Sequence, residues 1–401
     1  MKYVVFLGDG MADYNQEFLG GKTPLMLANK PNIDGLLAFS EMGLCQTVPN
    51  GMKPGSDVAN LSVFGYDVLS SYTGRSPLEA ASIGIDLKDT DVTARANLVT
   101  LSTQEDYENK IMVDYSAGEI STLEAKVLID YLAQNLNTET IKLYSGISYR
   151  HCLVKDNGVV EGNLTPPHDI TGKCVNGHLP LENSMYLDLQ KRSYELLKDH
   201  PINVERIKNG KNPANSLWFW GEGTKPCLEN FYQRFGLKGG VISAVDLLKG
   251  IAILAGMQVI EVQGATGNYD TNFSGKAQAC INALKNGLDY VYIHMEAPDE
   301  CGHHGDSKNK IYSIEQIDEK VVGPVLNYLK TCGEDYRVLI MPDHPTPLNL
   351  KTHVSDPVPF VMYKSDVRFN GTEGSYTEEN ALKTGIMVQS GIELMQKFIK
   401  R

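Results

Sequence analysis

Short apolar runs that alternate with helical stretches are the feature that most constrains the fold of this chain. The first run, residues 3–7, is rich in β-branched and aromatic side chains and stops at Gly8-Asp9-Gly10. Such runs are typical of strands that are buried on both faces of a parallel sheet. Further strands are predicted at residues 43–48, 216–220, 258–262, 290–295, 337–341 and 359–363. Helices are predicted at residues 31–39, 56–64, 243–255, 272–285, 312–330 and 378–399. This alternation indicates βαβ units and an α/β fold, with a mainly parallel sheet and helices on both faces.

The middle of the chain follows a different pattern. Shorter strands are predicted at residues 94–103, 110–113, 141–144 and 149–154, with one helix at residues 121–135. We read this as a smaller α+β domain, residues 88–180, inserted into a discontinuous domain of residues 1–87 and 181–401. A length of 401 residues favours two domains, because a chain of this size exceeds one typical core.

Charge and composition exclude several classes of function. The net charge of −12 argues against nucleic acid as a partner, because that binding depends on neutralising phosphates with Lys and Arg. The seven cysteines contain no CxxC pair, which is typical of reduced thiols in a cytoplasmic protein. The apolar run at residues 3–7 is too short for a signal peptide, and no later run could span a bilayer. We therefore expect a cytoplasmic protein without a membrane partner.

Three aspartates follow predicted strands of the main sheet. Asp9, Asp299 and Asp343 come directly or shortly after the strands at residues 3–7, 290–295 and 337–341. Because ligands collect outside the carboxyl ends of parallel strands, these side chains are expected to converge on one edge. A turn or cap role explains any one of them alone. It does not explain why His303 and His344 accompany them: Asp299 and His303 share a helix face at a spacing of four residues.

Together with one hydroxyl, these residues form a candidate metal site. The set is Asp9, Ser56, Asp299, His303, Asp343, His344 and His353. It contains enough ligands for two adjacent divalent ions, and carboxylates with imidazoles suit Mn, Zn, Co or Mg. Ser56 is the nucleophile of the set and opens a helix, although for this residue taken alone a plain N-cap would be the better explanation. Paired metals beside a serine indicate phosphoryl transfer.

Several motifs carry a resemblance to a known family. They are Gly8-Asp-Gly-Met-Ala-Asp13, Pro54-Gly-Ser-Asp57, Thr73-Gly-Arg-Ser-Pro77, Ser148-Tyr-Arg-His151, Pro166-Pro-His-Asp169 and Pro342-Asp-His-Pro345. Together they resemble the archaeal-type cofactor-independent phosphoglycerate mutases, over essentially the whole chain. The resemblance implies an alkaline-phosphatase-like core domain, which binds the metals, with an inserted transferase domain that handles the substrate.

The resemblance also implies roles for individual residues. Ser56 matches the serine that is transiently phosphorylated. Asp9, Asp343 and His344 match the ligands of the metal that touches this serine, and Asp299, His303 and His353 match those of the second metal. The resemblance implies two divalent ions, with Mn the first candidate, and no need for 2,3-bisphosphoglycerate. Candidate substrate-binding residues are Arg75, Arg150, His151, His168 and Asp169.

The implied reaction interconverts 3-phosphoglycerate and 2-phosphoglycerate in glycolysis and gluconeogenesis. Ser56 takes the phosphoryl group, the glycerate stays bound and re-orients, and its other hydroxyl takes the phosphoryl group back. Holding the intermediate makes the return step effectively intramolecular. The expected partner is thus a small phosphorylated metabolite, while the oligomeric state stays open.

The chain departs from the mutase pattern at three places. Many relatives carry Asp-Arg-x-Ala-Gly-Arg where this chain has Asp114-Tyr-Ser-Ala-Gly-Glu119. Asn60 and Pro345 replace a frequent His and Ser. These differences resemble a sister branch proposed to contain homoserine kinases, and Glu119 would suit an ammonium group. This makes a homoserine kinase one alternative; a metallophosphatase on the same two-metal core and a non-catalytic binding protein are the others. The roles of Lys225 and Lys276, two possible anion contacts, also stay open.

Overall fold

The computed structural model describes residues 1–103, 106–162, 164–182, 184–371 and 374–400. The chain divides into two compact units. The core unit comprises Met1–Tyr72 and Cys227–Arg401, and the inserted unit comprises Thr73–Pro226. Each unit has its own sheet and its own buried cluster of apolar side chains.

The elements follow one another along the chain as alternating strands and helices. The strands are β1 Lys2–Gly8, β2 Ser40–Cys45, β3 Val92–Leu101, β4 Met112–Asp114, β5 Ile141–Tyr144, β6 Arg150–Lys155, β7 Ser216–Thr224, β8 Gly239–Ile242, β9 Gln258–Val259, β10 Tyr290–Met295, β11 Tyr336–Met341, β12 Val358–Lys364 and β13 Met387–Val388. The helices are α1 Pro24–Leu27, α2 Pro31–Asp34, α3 Ser56–Val63, α4 Val68–Ser71, α5 Ser76–Ser82, α6 Thr122–Leu136, α7 Met185–Leu197, α8 Pro201–Lys208, α9 Phe231–Phe235, α10 Asp246–Leu254, α11 Phe273–Lys285, α12 Ala297–His304, α13 Ser307–Gln316, α14 Gly323–Thr331, α15 Glu378–Lys383 and α16 Gly391–Ile399. Within the described ranges, no helix has the length and apolar character needed to cross a membrane.

The core unit is built on an eight-stranded sheet in the order β13-β2-β12-β11-β1-β10-β8-β9. Strand β12 runs antiparallel to both β11 and β2, and the other adjacent pairs are parallel. The expectation of a mainly parallel sheet is confirmed. The parallel strands β11, β1 and β10 are neighbours, so their carboxyl ends meet at one edge of the sheet.

Helices cover both faces of this sheet. On one face, Val4 and Phe6 of β1 join a buried cluster to which α11, α13 and α14 contribute. On the other face, Tyr292 of β10 stacks on Phe64, the residue that ends α3, at 4.2 Å between ring centroids. Every residue of β1, β10 and β11 is buried. Burial on both faces explains why these strands read as continuous apolar runs.

The inserted unit has a five-stranded antiparallel sheet in which β3 pairs with β4, β6 and β7, and β6 pairs with β5. Helices α6 and α7 supply Leu128 and Leu189 to the cluster on this sheet. Helix α6 begins after Ser121, whose hydroxyl accepts the Glu124 N–H and donates to the Glu124 carboxylate. This N-cap satisfies one of the backbone donors that the first helical turn leaves free.

The inserted unit is larger than the predicted residues 88–180, because its sheet recruits segments on both sides of that range. Strand β7 forms a long ladder with β3, from Val92 opposite Thr224 to Val99 opposite Ser216. The prediction that residues 216–220 form a strand of the main sheet is therefore wrong. The pairing joins segments more than a hundred residues apart, so the local pattern of either strand does not encode it.

Three predicted helices are interrupted in the structure. The segment 312–330 falls in α13 and α14, which a π-helical segment, Ile317–Val322, joins. The segment 378–399 forms α15 and α16, with the short strand β13 between them. Gly385 adopts a φ of 69°, in the left-handed region that ends helices, and the chain turns there to pair with β2. The segment 31–39 is likewise divided into α2 and a 3₁₀ turn, Leu37–Phe39.

Candidate active site

Three buried aspartates lie beyond the carboxyl ends of β11, β1 and β10. Asp9 directly follows β1, Asp343 follows β11 after one residue, and Asp299 lies in the first turn of α12. Pro342 separates Asp343 from the strand, so the side chains of Asp343 and His344 are free of the alternation that a strand would impose. The predicted convergence of the three strand ends on one edge is therefore present in the structure.

Helix α12 presents Asp299 and His303 on one face, as their spacing predicts. His303 Nε2 lies 3.2 Å from Asp299 Oδ2. His353, from the segment between β11 and β12, brings its Nε2 to 2.9 Å from His303 Nε2 and 3.4 Å from Asp299 Oδ1. A side chain at Gly10, which has a φ of 60°, would meet Asp299 Oδ1 at 2.6 Å. The glycine after Asp9 is therefore needed for this close approach.

Ser56 is the first residue of α3, and its hydroxyl faces the same cluster. Ser56 Oγ lies 3.4 Å from Asp9 Oδ2 and 3.2 Å from His344 Nε2. The N-cap position belongs to Gly55, and no side-chain capping bond is present at this described helix start. The alternative that Ser56 is a plain helix cap is wrong, because its hydroxyl points to the carboxylate and imidazole instead.

His344 links two groups of candidate ligand atoms. Asp9, Asp343 and His344 form one group, and Asp299, His344 and His353 form the other, with the atoms of each group within 4.8 Å of one another. The imidazole rings of His344 and His353 lie 4.0 Å apart between centroids. All seven residues of the predicted set therefore lie in a single cluster, and each of the two groups within it could hold a metal ion.

The charges of the cluster are not balanced by the protein itself. Burial and the neighbouring carboxylates of Asp343 and Asp299 raise the pKa of Asp9 well above its ordinary value. Burial disfavours the charged form of His303, yet the hydrogen bond and charge of Asp299 prevail and raise its pKa to about 9. Burial also opposes the ionisation of Asp299, but the hydrogen bonds from His303 and His353 outweigh it and hold the pKa of Asp299 well below its ordinary value. A bound cation would supply the missing positive charge.

One atom of the cluster shows where such a cation fits. Asp9 Oδ1 is buried and has no hydrogen-bond partner among the described residues. A buried carboxylate oxygen without a partner is costly, whereas a metal ion would satisfy it. Divalent ions such as Mn²⁺ and Zn²⁺ are commonly coordinated by carboxylate and hydroxyl oxygens and by imidazole nitrogens. The residues present therefore fit divalent metal ions.

Two residues around the cluster were missed by the sequence analysis or assigned no role. His294 of β10 places Nε2 2.8 Å from Asp9 Oδ2. Asn60 donates from Nδ2 to Asp343 Oδ2 over 2.8 Å and accepts a hydrogen bond from the Tyr292 hydroxyl. The available signal was polar side chains at alternate positions of an otherwise apolar strand, Tyr292 and His294.

The inserted unit holds a separate cluster of basic side chains. Glu79 accepts from Arg75 Nε at 2.8 Å and from Arg95 Nη1 at 3.1 Å. Burial opposes the ionisation of Glu79, but the two guanidinium groups prevail and hold its pKa below the ordinary value. Arg95 also stacks over the Trp220 ring at 4.7 Å. Arg95 was not predicted, although an arginine inside a buried apolar strand was a readable signal.

His151 lies beside these arginines and is fixed in the neutral form. Its Nδ1 accepts the N–H of Gly146 at 3.0 Å, while its buried Nε2 has no partner among the described residues. Burial lowers the pKa of His151 to about 3, and the charges of Arg95 and Arg150 act in the same direction. Arg150 itself is exposed at the start of β6.

The remaining candidates have mixed surroundings. His168 contacts the Trp220 ring at 5.2 Å between centroids and lies 3.6 Å from the carboxylate of Asp169, which is largely exposed. Lys276 is fully buried and donates to the backbone carbonyl of His294 at 3.0 Å. Lys225 donates to a backbone carbonyl within the inserted unit. Both lysines therefore have local structural partners.

Comparison with known proteins places the chain in a family. A family model described as 2,3-bisphosphoglycerate-independent phosphoglycerate mutase matches residues 38–203. A protein of that name from Methanosarcina barkeri is 48% identical over the full length of both chains. A protein from Geobacter sulfurreducens, named a probable enzyme of the same kind, is 47% identical, also over both full lengths. The chain belongs to the family of 2,3-bisphosphoglycerate-independent phosphoglycerate mutases.

Two solved structures have a similar fold. A protein from Pyrococcus horikoshii is 29% identical, with a TM-score of 0.82 over 99% of this chain and 97% of that one. A cofactor-independent phosphoglycerate mutase from Thermoplasma acidophilum is 24% identical, with a TM-score of 0.66 over 100% and 99% of the two chains, and it shares the fold. The comparisons thus favour the mutase expectation over a homoserine kinase or a phosphatase.

The segment in which this mutase family member lacks two arginines is a tight turn. The carboxylate of Asp114 accepts the N–H groups of Ser116 and Gly118, and Arg206 donates to the carbonyl of Ala117 at 2.6 Å. Glu119 is exposed, with a φ of 50°. The turn is therefore stabilised by the Asp114 carboxylate and by Arg206.

Proposed function

We propose that this chain interconverts 3-phosphoglycerate and 2-phosphoglycerate by passing the phosphoryl group through Ser56. The observation that carries the proposal is the position of the Ser56 hydroxyl, 3.2 Å from His344 Nε2 and 3.4 Å from Asp9 Oδ2. The hydroxyl of Thr346 also lies in the cluster, but it is committed to Asp299 Oδ1. Ser56 is therefore the hydroxyl available for attack on a phosphoryl group.

We assign the ligands to two divalent ions: His344, which belongs to both groups of atoms, is given to the ion next to Ser56, and His303, whose Nε2 lies 3.2 Å from Asp299 Oδ2, is given to the second ion. Asp9, Asp343 and His344 would hold the ion next to Ser56, and Asp299, His303 and His353 would hold the second. Mn²⁺ is the ion that we expect, with Zn²⁺, Co²⁺ and Mg²⁺ as the other candidates. When bound, such ions stabilise the negative charge that develops on the transferring group and on the attacking and leaving oxygens.

In the first half of the reaction, Ser56 Oγ attacks the phosphorus of 3-phosphoglycerate, and the bond to the substrate's C3 oxygen breaks. The position of Ser56 at the start of α3 gives the phosphoryl group the partial positive charge of a helix N-terminus. In the second half, the C2 hydroxyl of the retained glycerate attacks phosphorylated Ser56, and the serine is regenerated. Retention of glycerate makes this return step effectively intramolecular.

The anionic groups of the substrate require cationic side chains. We infer that Arg75 and Arg150 of the inserted unit bind the carboxylate and phosphate groups, since planar guanidinium groups pair bidentately with both. His151 lies beside the arginines in its neutral form, and we assign it as a hydrogen-bonding partner for the substrate. We assign His168 and Asp169 to the same substrate-binding surface. Glu79 partly neutralises the arginines, so the cluster would attract an anion without excessive mutual repulsion.

The proposal is tested with purified, Mn²⁺-loaded protein and 3-phosphoglycerate, with formation of 2-phosphoglycerate followed by coupling to enolase. Turnover without added 2,3-bisphosphoglycerate is expected, with little release of inorganic phosphate. A parallel assay offers homoserine with phosphoryl donors. Brisk formation of O-phosphohomoserine with mutase turnover at background would overturn the proposal, and rapid phosphate release in place of isomerisation would indicate a phosphatase.

The role of Ser56 is tested separately with Ser56→Ala. This variant is expected to bind metal but lose turnover, because the acceptor oxygen is missing. Ser70→Ala, an exposed serine of the core unit, is the matched control and is expected to turn over like the unmodified protein. Full activity in Ser56→Ala would show that the phosphoryl group does not pass through this residue.

A further inference from the structure

His294 is a buried histidine in contact with the candidate metal centre, although it is not one of its predicted ligands. The side chain is completely inaccessible to solvent. Its Nε2 lies 2.8 Å from Asp9 Oδ2, and its Nδ1 lies 3.1 Å from the hydroxyl oxygen of Ser243. His294 therefore links Asp9 to the residue that follows strand β8.

The surroundings of the ring determine which nitrogen carries the proton. Ser243 Oγ accepts the N–H of Val245 at 3.0 Å, so its own hydroxyl proton is available for the unprotonated Nδ1 of His294. The carboxylate of Asp9 can only accept a hydrogen bond when it is ionised. The opposite tautomer would set a lone pair of Nε2 against that carboxylate. Both neighbours therefore favour a neutral ring that is protonated at Nε2 and donates to Asp9.

This hydrogen bond makes the two oxygens of Asp9 different from each other. Oδ2 receives the imidazole N–H and lies on the side of the Ser56 hydroxyl. Oδ1 is buried, without a hydrogen-bond partner among the described residues, and it lies 3.6 Å from His344 Nε2. Oδ1 is thus the oxygen that remains available to bind a cation, because no hydrogen bond from the described residues occupies it.

The ring is also fixed through its backbone. Lys276, which is fully buried in α11, donates from Nζ to the carbonyl of His294 at 3.0 Å. The residue thus has three anchors on separate elements, namely Lys276 on its carbonyl, Ser243 on Nδ1 and Asp9 on Nε2. A ring held in this way can set the rotation of the Asp9 carboxylate.

We propose that His294 is a positioning residue for the metal centre: by donating from Nε2 to Asp9 Oδ2, it fixes the carboxylate so that Oδ1 is presented to the metal ion next to Ser56. This inference rests on the proposed function, since it takes the cluster to be a metal site. Residues that hydrogen-bond to a ligand from outside the coordination sphere tune metal affinity, and their removal typically costs about tenfold to a hundredfold.

Two substitutions of His294 distinguish the hydrogen bond at Nε2, to Asp9, from the one at Nδ1, to Ser243. In His294→Gln, the longer side chain can place an amide N–H near the position of Nε2 and keep the bond to Asp9. In His294→Asn, the shorter side chain can reach Ser243 near the position of Nδ1 but not Asp9. His304→Gln is the matched control, because His304 is the exposed histidine at the end of α12. A purely structural role would make the Gln and Asn variants similarly defective.

The experiment titrates metal-free protein and the three variants with Mn²⁺, using calorimetry and the electron paramagnetic resonance signal of the free ion. His294→Asn is expected to weaken the binding of one ion about tenfold or more, and His294→Gln no more than a few-fold. The other ion and His304→Gln should be unaffected. Thermal unfolding of the metal-free proteins controls for loss of packing.

Each result has a clear meaning. If the unmodified protein binds two ions and turns over, but His294→Asn binds both with unchanged affinity, the positioning role is wrong and the proposed function stands. If the unmodified protein binds no divalent ion, both fail together. Should the variants be unfolded, a long-range ¹H–¹⁵N spectrum of the unmodified, Zn²⁺-loaded protein decides: protonation of His294 at Nε2 supports the inference, and protonation at Nδ1 overturns it.

Discussion

Asn60 donates a hydrogen bond from Nδ2 to Asp343 Oδ2 over 2.8 Å, from a site that is completely buried. Its amide cannot turn freely, because Oδ1 accepts the hydroxyl of Tyr292 and Nδ2 also donates to the carbonyl of Ser56. Asn60 therefore connects the residue proposed as nucleophile with a proposed metal ligand. The amide of Asn60 thus supplies a neutral donor toward the aspartate.

We predict that Asn60→Ala weakens metal binding about tenfold, because Asp343 loses the hydrogen bond that orients it. Tyr292→Phe should have a smaller effect in the same direction, since Asn60 remains but its amide is no longer fixed. Metal titration of the two variants tests this order. Equal and undiminished affinities in both would show that the contacts serve packing alone.

The strands around the site were largely predictable, because their signal is local. Residues 290–295 read as a buried strand, and β10 spans those residues. The spacing of Asp299 and His303 predicted a shared helix face, and both lie on α12. Pattern and spacing act within one element, so a sequence shows them directly. That the seven residues bind metals remains a proposal.

The remaining features depend on contacts between distant segments. His294 lies in an apolar run and reads as a core residue until its ring is seen against Asp9. Similarly, β7 resembles a strand of the main sheet, and only its ladder with β3 assigns it to the inserted unit. Arg95 in β3 acquires its significance from Glu79 and Trp220, which come from other elements. Tertiary packing supplies this information, and local patterns do not.

A buried ion pair supports the loop that carries His344. Lys310 Nζ lies 2.8 Å from Asp13 Oδ2 and 2.8 Å from the carbonyl of Thr346, and both side chains of the pair are inaccessible to solvent. We predict that Lys310→Met lowers the free energy of unfolding by about 3 kcal/mol, because Asp13 is left charged and buried without its partner. Urea unfolding of the metal-free protein measures this loss.

The double variant Asp13→Asn with Lys310→Met provides the control for that prediction. Removing both charges should recover part of the lost stability, since the uncompensated carboxylate is gone. If the double variant lost as much free energy of unfolding as Asp13→Asn and Lys310→Met lose together, the two charges would not be coupled.

Metal binding should depend on pH through His303. Asp299 raises the pKa of His303 to about 9 despite the opposing effect of burial, so the ring is protonated at neutral pH in the metal-free protein. A metal ion requires the neutral ring, and binding must therefore release a proton. We predict that affinity rises between pH 6.5 and about 9 and then levels off. Calorimetry in buffers of different ionisation enthalpy counts the protons released.

The raised pKa of His303 has the opposite effect on the metal-free protein, whose stability should fall as the pH rises. The folded pKa of about 9 lies above the ordinary value of 6.5, so the protonated ring stabilises the fold. This contribution is complete below pH 6.5 and is lost as the pH rises through about 9. Thermal unfolding without metal should show a corresponding decline that is reduced in His303→Gln. An affinity for metal that does not change across this range would contradict the assignment.

Arg95 should stabilise the inserted unit by its ion pair with Glu79, whose carboxylate also pairs with Arg75. Its guanidinium lies between the Glu79 carboxylate, at 3.1 Å, and the Trp220 ring, at 4.7 Å, and it is almost completely buried. In Arg95→Met, Glu79 keeps Arg75 as a partner but loses the buried one. We predict a loss of about 2 kcal/mol in the free energy of unfolding, the typical result of leaving a buried polar group poorly satisfied.

The double variant Arg95→Met with Glu79→Gln distinguishes a charge effect from a packing effect. If the charge of Glu79 causes the loss, the double variant should be more stable than Arg95→Met, because the carboxylate that lacked its partner is neutral. Arg192→Met, an exposed arginine of the same unit, is the control and should change stability by no more than about 0.5 kcal/mol. A double variant no more stable than Arg95→Met would attribute the loss to the contact with Trp220, since that contact is absent from both.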